Sequence, residues 1–164
     1  KSTIAWEGGS ATTTNIGLIG LKSGTLEISD GKLTGGTFEV DMTSITNLDV
    51  SEAYRGKLEN HLKSVDFFDA KAFPSAHLVI IKTTAEKENL YRIVADLTIR
   101  NIKKTIEFDA TLSPNGNGYE ATADFSFDRS EFEVKHRSGS FFMNLGDKLI
   151  YDDIKLEISL VTRN

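Results

Sequence analysis

The chain has 164 residues, 39% of them hydrophobic and 26% charged, which is the size and balance of one globular domain and argues against a disordered or membrane-embedded chain. A net charge of -5, with no cluster of lysine and arginine, excludes nucleic acid as an expected partner. The absence of cysteine excludes disulfides, thiolate metal sites and cysteine nucleophiles.

Short runs of alternating apolar and polar residues recur along the chain and predict β-strands with one face in a core. The apolar members are Phe38, Val40 and Met42; Ile93, Ala95, Leu97 and Ile99; Ile106, Phe108, Ala110 and Leu112; Tyr119, Ala121, Ala123, Phe125 and Phe127; and Leu156, Ile158 and Leu160. Ser23-Gly24, Asp30-Gly31 and residues 114–118 have the Gly and Asn chemistry of hairpin turns. We therefore predict antiparallel strands joined by tight turns at these positions.

One segment departs from the two-residue period. Tyr54, Leu58, Leu62 and Val65 fall on one face of a helix, and Ser51 followed by an acidic residue is a typical helix start. The spacing predicts a short helix between Ser51 and Val65. It ends before the aspartate that follows.

The chain contains no internal repeat, low-complexity tract or shift in composition, so we expect residues 1–164 to form a single domain. The pattern favours one barrel or sandwich with a single helix insertion. A barrel of about eight strands either fills with its own side chains or encloses one small ligand. The alternation alone leaves both alternatives open.

Four stretches carry motifs that occur together in one family. They are GGTFEVDMTSIT at 35–46, HLKSVDFFDAKAFPSA at 61–76, ADLTIRNIKKTIEF at 95–108 and SFFMNLGDKLIYDDIKLEISLV at 140–161. The individual motifs are Leu97-Thr98-Ile99, Asp66-Phe67-Phe68 before Pro74, and Asp128-Arg129-Ser130 with Phe132. In this order, and over nearly the whole chain, the sequence resembles the YceI-like family.

The resemblance implies an all-β fold, an antiparallel eight-stranded lipocalin-like β-barrel with one short helix insertion. It also implies that the barrel encloses a long isoprenoid or similar amphiphilic lipid, for carriage, storage or sensing in the bacterial periplasm or envelope. We expect no cofactor and no membrane-spanning segment. A monomer and a homodimer are both alternatives for the oligomeric state. The chain begins at Lys1 without an apolar leader, which fits a mature exported protein or a trimmed chain.

The inward faces of the predicted strands and helix supply the expected lipid contacts. They are Phe38, Met42, Leu58, Leu62, Phe67, Phe68, Phe73, Leu97, Ile99, Phe108, Phe125, Phe127, Phe141 and Phe142. The same aromatic residues would form an ordinary packed core if the barrel were a solid structural or protein-interaction module with no internal ligand. A lipid-binding protein is our first hypothesis and the solid module is the alternative.

Four polar residues are candidates for contact with a lipid head group. Asn15 stands where the resemblance places a histidine near the barrel mouth in many relatives. His61 lies on the predicted helix, and Arg129 and Arg137 carry the planar guanidinium that suits a phosphate group. Ordinary surface salt bridges are the alternative role for the two arginines.

An enzyme is the least supported class. His61, His77 and His136 are not spaced like metal ligands and no cysteine supports them, so we expect no metal site. The remaining polar candidates are Asp152 with Asp153, Glu131 with Glu133, Ser130 and Ser138. These acidic residues are typical of solvated strand faces and turns, and the serines lack a nucleophile elbow. We therefore expect no catalytic residues.

Overall fold

Eight antiparallel strands close into a barrel in the computed structural model, which describes residues 1–163. They are β1 Thr3–Gly9, β2 Thr14–Ser29, β3 Lys32–Asn47, β4 Ser75–Lys87, β5 Leu90–Ile99, β6 Ile102–Asn115, β7 Gly118–Asp128 and β8 Asp153–Val161. Each strand pairs with its neighbours in chain order, and β1 pairs with β8 to close the barrel. The predicted fold class, with one helix α1 at Glu52–Leu62, is confirmed.

One end of the barrel is closed by tight hairpins. Asp30 and Gly31 have φ of 53° and 75°, the left-handed conformation that a two-residue hairpin turn requires, so this predicted turn is confirmed. The predicted turn at 114–118 is also confirmed, between β6 and β7. The predicted turn at Ser23-Gly24 is wrong, because both residues lie within β2 at a shift of register.

The opposite end of the barrel carries the long connections, and we call it the mouth. Residues 48–74 and 129–152 connect strands there, together with the short turn at 10–13. The second long connection includes two short 3-10 helices, Arg129–Phe132 and Gly146–Lys148. Among residues 1–163, this is therefore the end at which the backbone departs most from regular hydrogen-bonded strand pairing.

Helix α1 lies across the mouth rather than in the core. The predicted start at Ser51 is confirmed, but Val65 falls beyond the helix and is 73% exposed, and Tyr54 is 65% exposed. Leu58 and Leu62 are half-buried. Two of the four predicted face residues are thus turned to solvent, because a helix that caps a barrel end needs only a narrow apolar stripe.

A buried asparagine fixes the entry into α1. The Asn47 amide donates to the Ile16 carbonyl at 3.0 Å and to an Asp49 carboxylate oxygen at 2.7 Å, and its side-chain oxygen accepts from the Val50 N–H at 2.9 Å. The Asn47 N–H donates to a Glu59 carboxylate oxygen at 2.7 Å. These bonds hold the helix against the end of β3.

The alternation predicted from the sequence is clearest in β5. Tyr91, Ile93, Ala95, Leu97 and Ile99 are all buried, and the residues between them are half-exposed. The inward residues form two apolar clusters, one beneath the mouth and one toward the hairpin end. The interior is therefore lined by side chains from all around the barrel.

Candidate ligand-binding cavity

A cavity of about 340 Å³ lies inside the barrel beneath α1. This volume is an order of magnitude above the roughly 30 Å³ that one water occupies in the liquid, and it falls in the range of small-molecule sites. Eight of the residues expected to contact a ligand line it, namely Met42, Leu58, Leu62, Phe67, Phe68, Leu97, Ile99 and Phe127. We call it the outer cavity.

A second, smaller cavity of about 110 Å³ lies deeper in the barrel. Phe38, Phe108 and Phe125 line it, and the Phe108 and Phe125 rings stack with centroids 4.3 Å apart. Five residues border both cavities, namely Ile4, Val40, Ala76, Leu97 and Leu156. The two spaces therefore adjoin along the barrel axis. The interior is not the solid core that the alternative hypothesis requires.

Glycines make room for two aromatic rings of this interior. A Cβ on Gly17 would lie 2.4 Å from the Trp6 ring and 1.9 Å from a backbone carbonyl, and a Cβ on Gly24 would lie 2.7 Å from the Phe38 ring. Trp6 lines the outer cavity and donates its indole N–H to the Leu18 and Thr46 carbonyls, each at 3.2 Å. The sequence pattern did not single out Trp6, because it is isolated in a short strand.

The polar residues of the outer cavity gather at the mouth. Asn15 and Arg137, both expected at a head group, line it together with Asp147 and Lys148. Arg137, Asp147 and Lys148 are exposed, and Asn15 is half-buried. The sequence does not predict Lys148 as a cavity residue, because residues 129–152 have no periodic pattern that would indicate which side chains face inward. The mouth thus presents two solvent-accessible cations beside an apolar cavity.

Arg129 also borders the outer cavity, but its side chain is buried and its donors are occupied. Its Nε donates to the Tyr151 carbonyl at 3.0 Å and its Nη1 to Val134 at 2.8 Å. Its Nη2 donates to His136 at 2.9 Å and to Ile150 at 3.0 Å. Four of the five guanidinium N–H groups therefore bind backbone carbonyls. This arginine holds the 129–152 connection together.

The electrostatic surroundings of Arg129 fit this role. Burial lowers the pKa of the guanidinium from its ordinary value, while the nearby Asp152 and Asp128 carboxylates act in the opposite direction. The guanidinium lies 3.8 Å from Asp152 and its carbon lies 5.6 Å from the centre of the Phe67 ring. Because an arginine stays charged under all ordinary conditions, a buried charge is fixed beside the cavity wall.

Both candidate serines donate to nearby carboxylates. Ser138 Oγ donates to Asp152 at 2.5 Å, and Ser130 Oγ donates to Asp128 at 2.5 Å. The partner of each serine is thus a carboxylate and not a histidine base. Asp153 is exposed, as are Glu131 and Glu133, which lie outside the outer cavity.

Three phenylalanines expected at the ligand lie outside both cavities. Phe73 packs under Arg100, whose guanidinium carbon lies 5.6 Å from the ring centre. Phe141 and Phe142 are 45% and 51% exposed, and Lys135 Nζ lies 4.6 Å from the centre of the Phe141 ring. All three belong to connections at the mouth, where no strand alternation directs a side chain inward.

His61 lies outside the outer cavity, on the far side of the Phe67 ring. Its Nε2 is 3.0 Å from an Asp66 carboxylate oxygen, and its ring centre is 4.9 Å from those of both Phe67 and His136. Burial lowers the pKa of His136, which Asp66 opposes and His61 reinforces. Sequence spacing did not predict this cluster, because the two histidines come from connections far apart in the chain.

A closed eight-stranded barrel with an apolar cavity and a polar mouth is the architecture of lipocalin-like proteins. The family model for the YceI-like domain matches residues 1–162, and the chain belongs to the YceI-like family. UPF0312 protein plu2095 of Photorhabdus laumondii is 30% identical over 118 residues, which are 70% of this chain and 57% of that protein. The chain therefore spans little more than half of that relative.

Two solved structures share the fold. BcnA of Burkholderia cenocepacia superposes with a TM-score of 0.81 at 19% identity, over 99% of this chain and 96% of that one. A polyisoprenoid binding domain from Saccharophagus degradans superposes with a TM-score of 0.70 at 8% identity, over 98% and 92% of the two chains. None of the helices within residues 1–163 has the length and apolar character of a membrane span.

Proposed function

We propose that this protein binds one long-chain, isoprenoid-type amphiphile inside the barrel, with its tail in the two cavities and its head at the mouth. The observation that carries the proposal is the pair of adjoining apolar cavities beneath a mouth that holds Arg137 and Lys148. The fold similarity to a polyisoprenoid binding domain supports the same ligand class. The apolar lining of the cavities suits the tail, and the exposed polar residues of the mouth leave the polar end in contact with solvent.

The apolar lining makes chain length the main source of affinity. Burying one CH₂ group contributes roughly 0.8 kcal/mol, so a five-carbon prenyl unit gains about 4 kcal/mol before the costs of ordering. Drug-sized ligands retain about 0.3 kcal/mol per heavy atom, or about 1.5 kcal/mol per prenyl unit. A short fragment therefore binds weakly, and each added unit inside the barrel tightens binding about tenfold.

The mouth favours a head group with acceptor oxygens. Arg137 and Lys148 offer N–H donors and positive charge, and Asn15 adds an amide that both donates and accepts. A phosphate, a carboxylate or a quinone carbonyl meets this requirement. Arg129 contributes little directly, since backbone carbonyls already take most of its donors.

Binding without catalysis is the second part of the proposal. General acid–base chemistry needs two titratable groups that converge on the substrate with separated pKa values. Asp147 is the one carboxylate that borders the outer cavity within residues 1–163, and it is exposed at the mouth. We therefore propose a carrier, store or sensor of lipid in the periplasm or envelope, rather than an enzyme.

Native mass spectrometry with a blocked barrel tests the proposal. Ala76 is buried and borders both cavities, so Ala76→Phe places a ring where a lipid tail must pass. Thr37→Phe adds the same ring to an exposed strand position and serves as the matched control. The wild type and the control are expected to retain one added polyprenyl lipid per chain, and folded Ala76→Phe to lose it. Equal lipid binding by all three would refute the internal site.

A further inference from the structure

A cluster of His61, Asp66 and His136 lies at the mouth, outside the proposed lipid site. His61 is near the end of α1, Asp66 follows it, and His136 belongs to the 129–152 connection. The lipid proposal uses none of the three side chains. Each of the three side chains offers one ligating atom, and these three atoms all lie within 4.8 Å of one another.

We propose that His61, Asp66 and His136 bind one divalent transition-metal ion of the zinc class. Zinc takes imidazole nitrogen and carboxylate oxygen at about 2.0–2.2 Å, so neighbouring ligand atoms of a tetrahedral site lie about 3.3 Å apart. The Asp66 carboxylate oxygen is 3.0 Å from His61 Nε2 and 3.9 Å from His136 Nδ1. These separations bracket the required spacing, and the ligating nitrogens of the third pair, His61 and His136, lie within 4.8 Å of each other.

The donor set identifies the chemical class of the ion. Imidazole nitrogens suit zinc, copper, nickel and iron, whereas calcium and magnesium prefer sites built from oxygen alone. Two imidazoles with one carboxylate therefore select a transition metal. Three protein ligands leave a fourth tetrahedral position for water, as in zinc sites that are open to solvent.

Access and charge allow such an ion to enter from solvent. The side chains of His61, Asp66 and His136 are 41%, 52% and 24% exposed. Arg137 and Arg100 border the adjoining cleft, and their positive charge weakens the site relative to a four-ligand structural zinc centre. Lys135 in the same cleft is paired with the Glu133 carboxylate at 2.6 Å.

The cluster lies where a bound ion would link two separate parts of the chain. It joins α1 and the segment just after it to the 129–152 connection, and these are the two parts of the chain that cover the mouth. Phe67 separates the cluster from the outer cavity, because its ring packs against both imidazoles and also lines that cavity. A bound ion would thus hold α1 and the 129–152 connection together without contacting a lipid tail in the cavities.

Titration of the full chain, without an affinity tag, with zinc chloride tests the site. We expect calorimetry to give one zinc per chain. His61→Gln and His136→Gln are each expected to weaken zinc binding at least about tenfold, because loss of a residue that only supports a metal ligand already costs about that much. His77→Gln is the matched control, since His77 lies on β4 outside the cluster and is expected to keep wild-type affinity.

Three readouts decide the outcome. Absence of one-to-one zinc binding overturns the proposal, and so does binding that survives both cluster variants or disappears in His77→Gln.

Cobalt provides a spectroscopic check, because tetrahedral nitrogen and oxygen ligation gives visible absorption bands that the variants must lose. Zinc is also expected to slow hydrogen exchange in both 52–74 and 129–152 of the wild type. Protection confined to one segment would contradict a bridge between them.

Discussion

Replacing Arg129 with methionine separates its role as an internal support from a role in ligand binding. The side chain is 1% exposed, and it donates four hydrogen bonds to backbone carbonyls of residues 134, 136, 150 and 151. Methionine fills a similar volume but leaves those carbonyls without their donor. Because the carbonyls belong to one connection, a single substitution releases both of its ends.

The expected magnitude follows from the burial of the charge and its partners. Breaking a buried charged network by removing one partner costs about 3–5 kcal/mol, against a total of about 5–15 kcal/mol for a typical domain. We therefore expect Arg129→Met to lower the free energy of unfolding by about 3–4 kcal/mol. Arg129→Lys keeps the charge with fewer donors and a different geometry, and is expected to lose an intermediate amount.

Urea denaturation and hydrogen exchange measure this prediction. The denaturation midpoint gives the free energy, and exchange locates the change, which we expect to concentrate in residues 129–152. A loss below about 1 kcal/mol, the range of an ordinary surface pair, would refute the assignment of Arg129 as a support. Unchanged exchange in the connection, with weaker lipid binding, would instead assign the side chain to the head group.

Two further substitutions test other parts of the structure. Gly17→Ala is expected to cost about 3 kcal/mol by overpacking against the Thr46 carbonyl and the Trp6 ring. Gly56→Ala has open space around it on α1 and is expected to gain about 1 kcal/mol, so equal effects of the two variants in urea denaturation would contradict the packing. Glu39 accepts a hydrogen bond from Ser75 Oγ at 2.8 Å, which lowers the pKa of its carboxyl from the ordinary 4.5. The stability that the ionised carboxylate contributes is therefore present above pH 4.5 and is lost as pH falls through the folded pKa. Acid titration of Glu39→Gln should therefore show a smaller loss of stability below about pH 5, and an unchanged profile would contradict this.

The regular part of the barrel was predictable because strand alternation is a local property. Ile93 and Leu97 are buried where the two-residue period places them, and Asp30-Gly31 forms the turn that its residue types favour. Ser23-Gly24 has the same local chemistry but lies inside β2. Glycine there serves the close approach of the Phe38 ring, and such an approach depends on a partner strand that local chemistry does not reveal.

The mouth was less predictable because its geometry depends on contacts between distant segments. Phe141 and Phe142 were expected to face inward on their apolar character, but no strand period governs the connection in which they lie. Arg129 has the side chain of a head-group ligand, but its four carbonyl partners come together only when the 129–152 connection folds. The pairing of His61 with His136 likewise appears only once both connections fold over the same barrel end.

The affinity for prenylated benzoquinones of increasing length tests the central claim most directly. Trp6 is the single tryptophan and lines the outer cavity, so its fluorescence reports a quinone that enters the barrel. We predict that the dissociation constant falls about tenfold per prenyl unit, roughly 1.5 kcal/mol, until the two cavities are full, and is constant for longer chains. Affinity that does not depend on chain length, or no quenching by any member of the series, would contradict an internal lipid site.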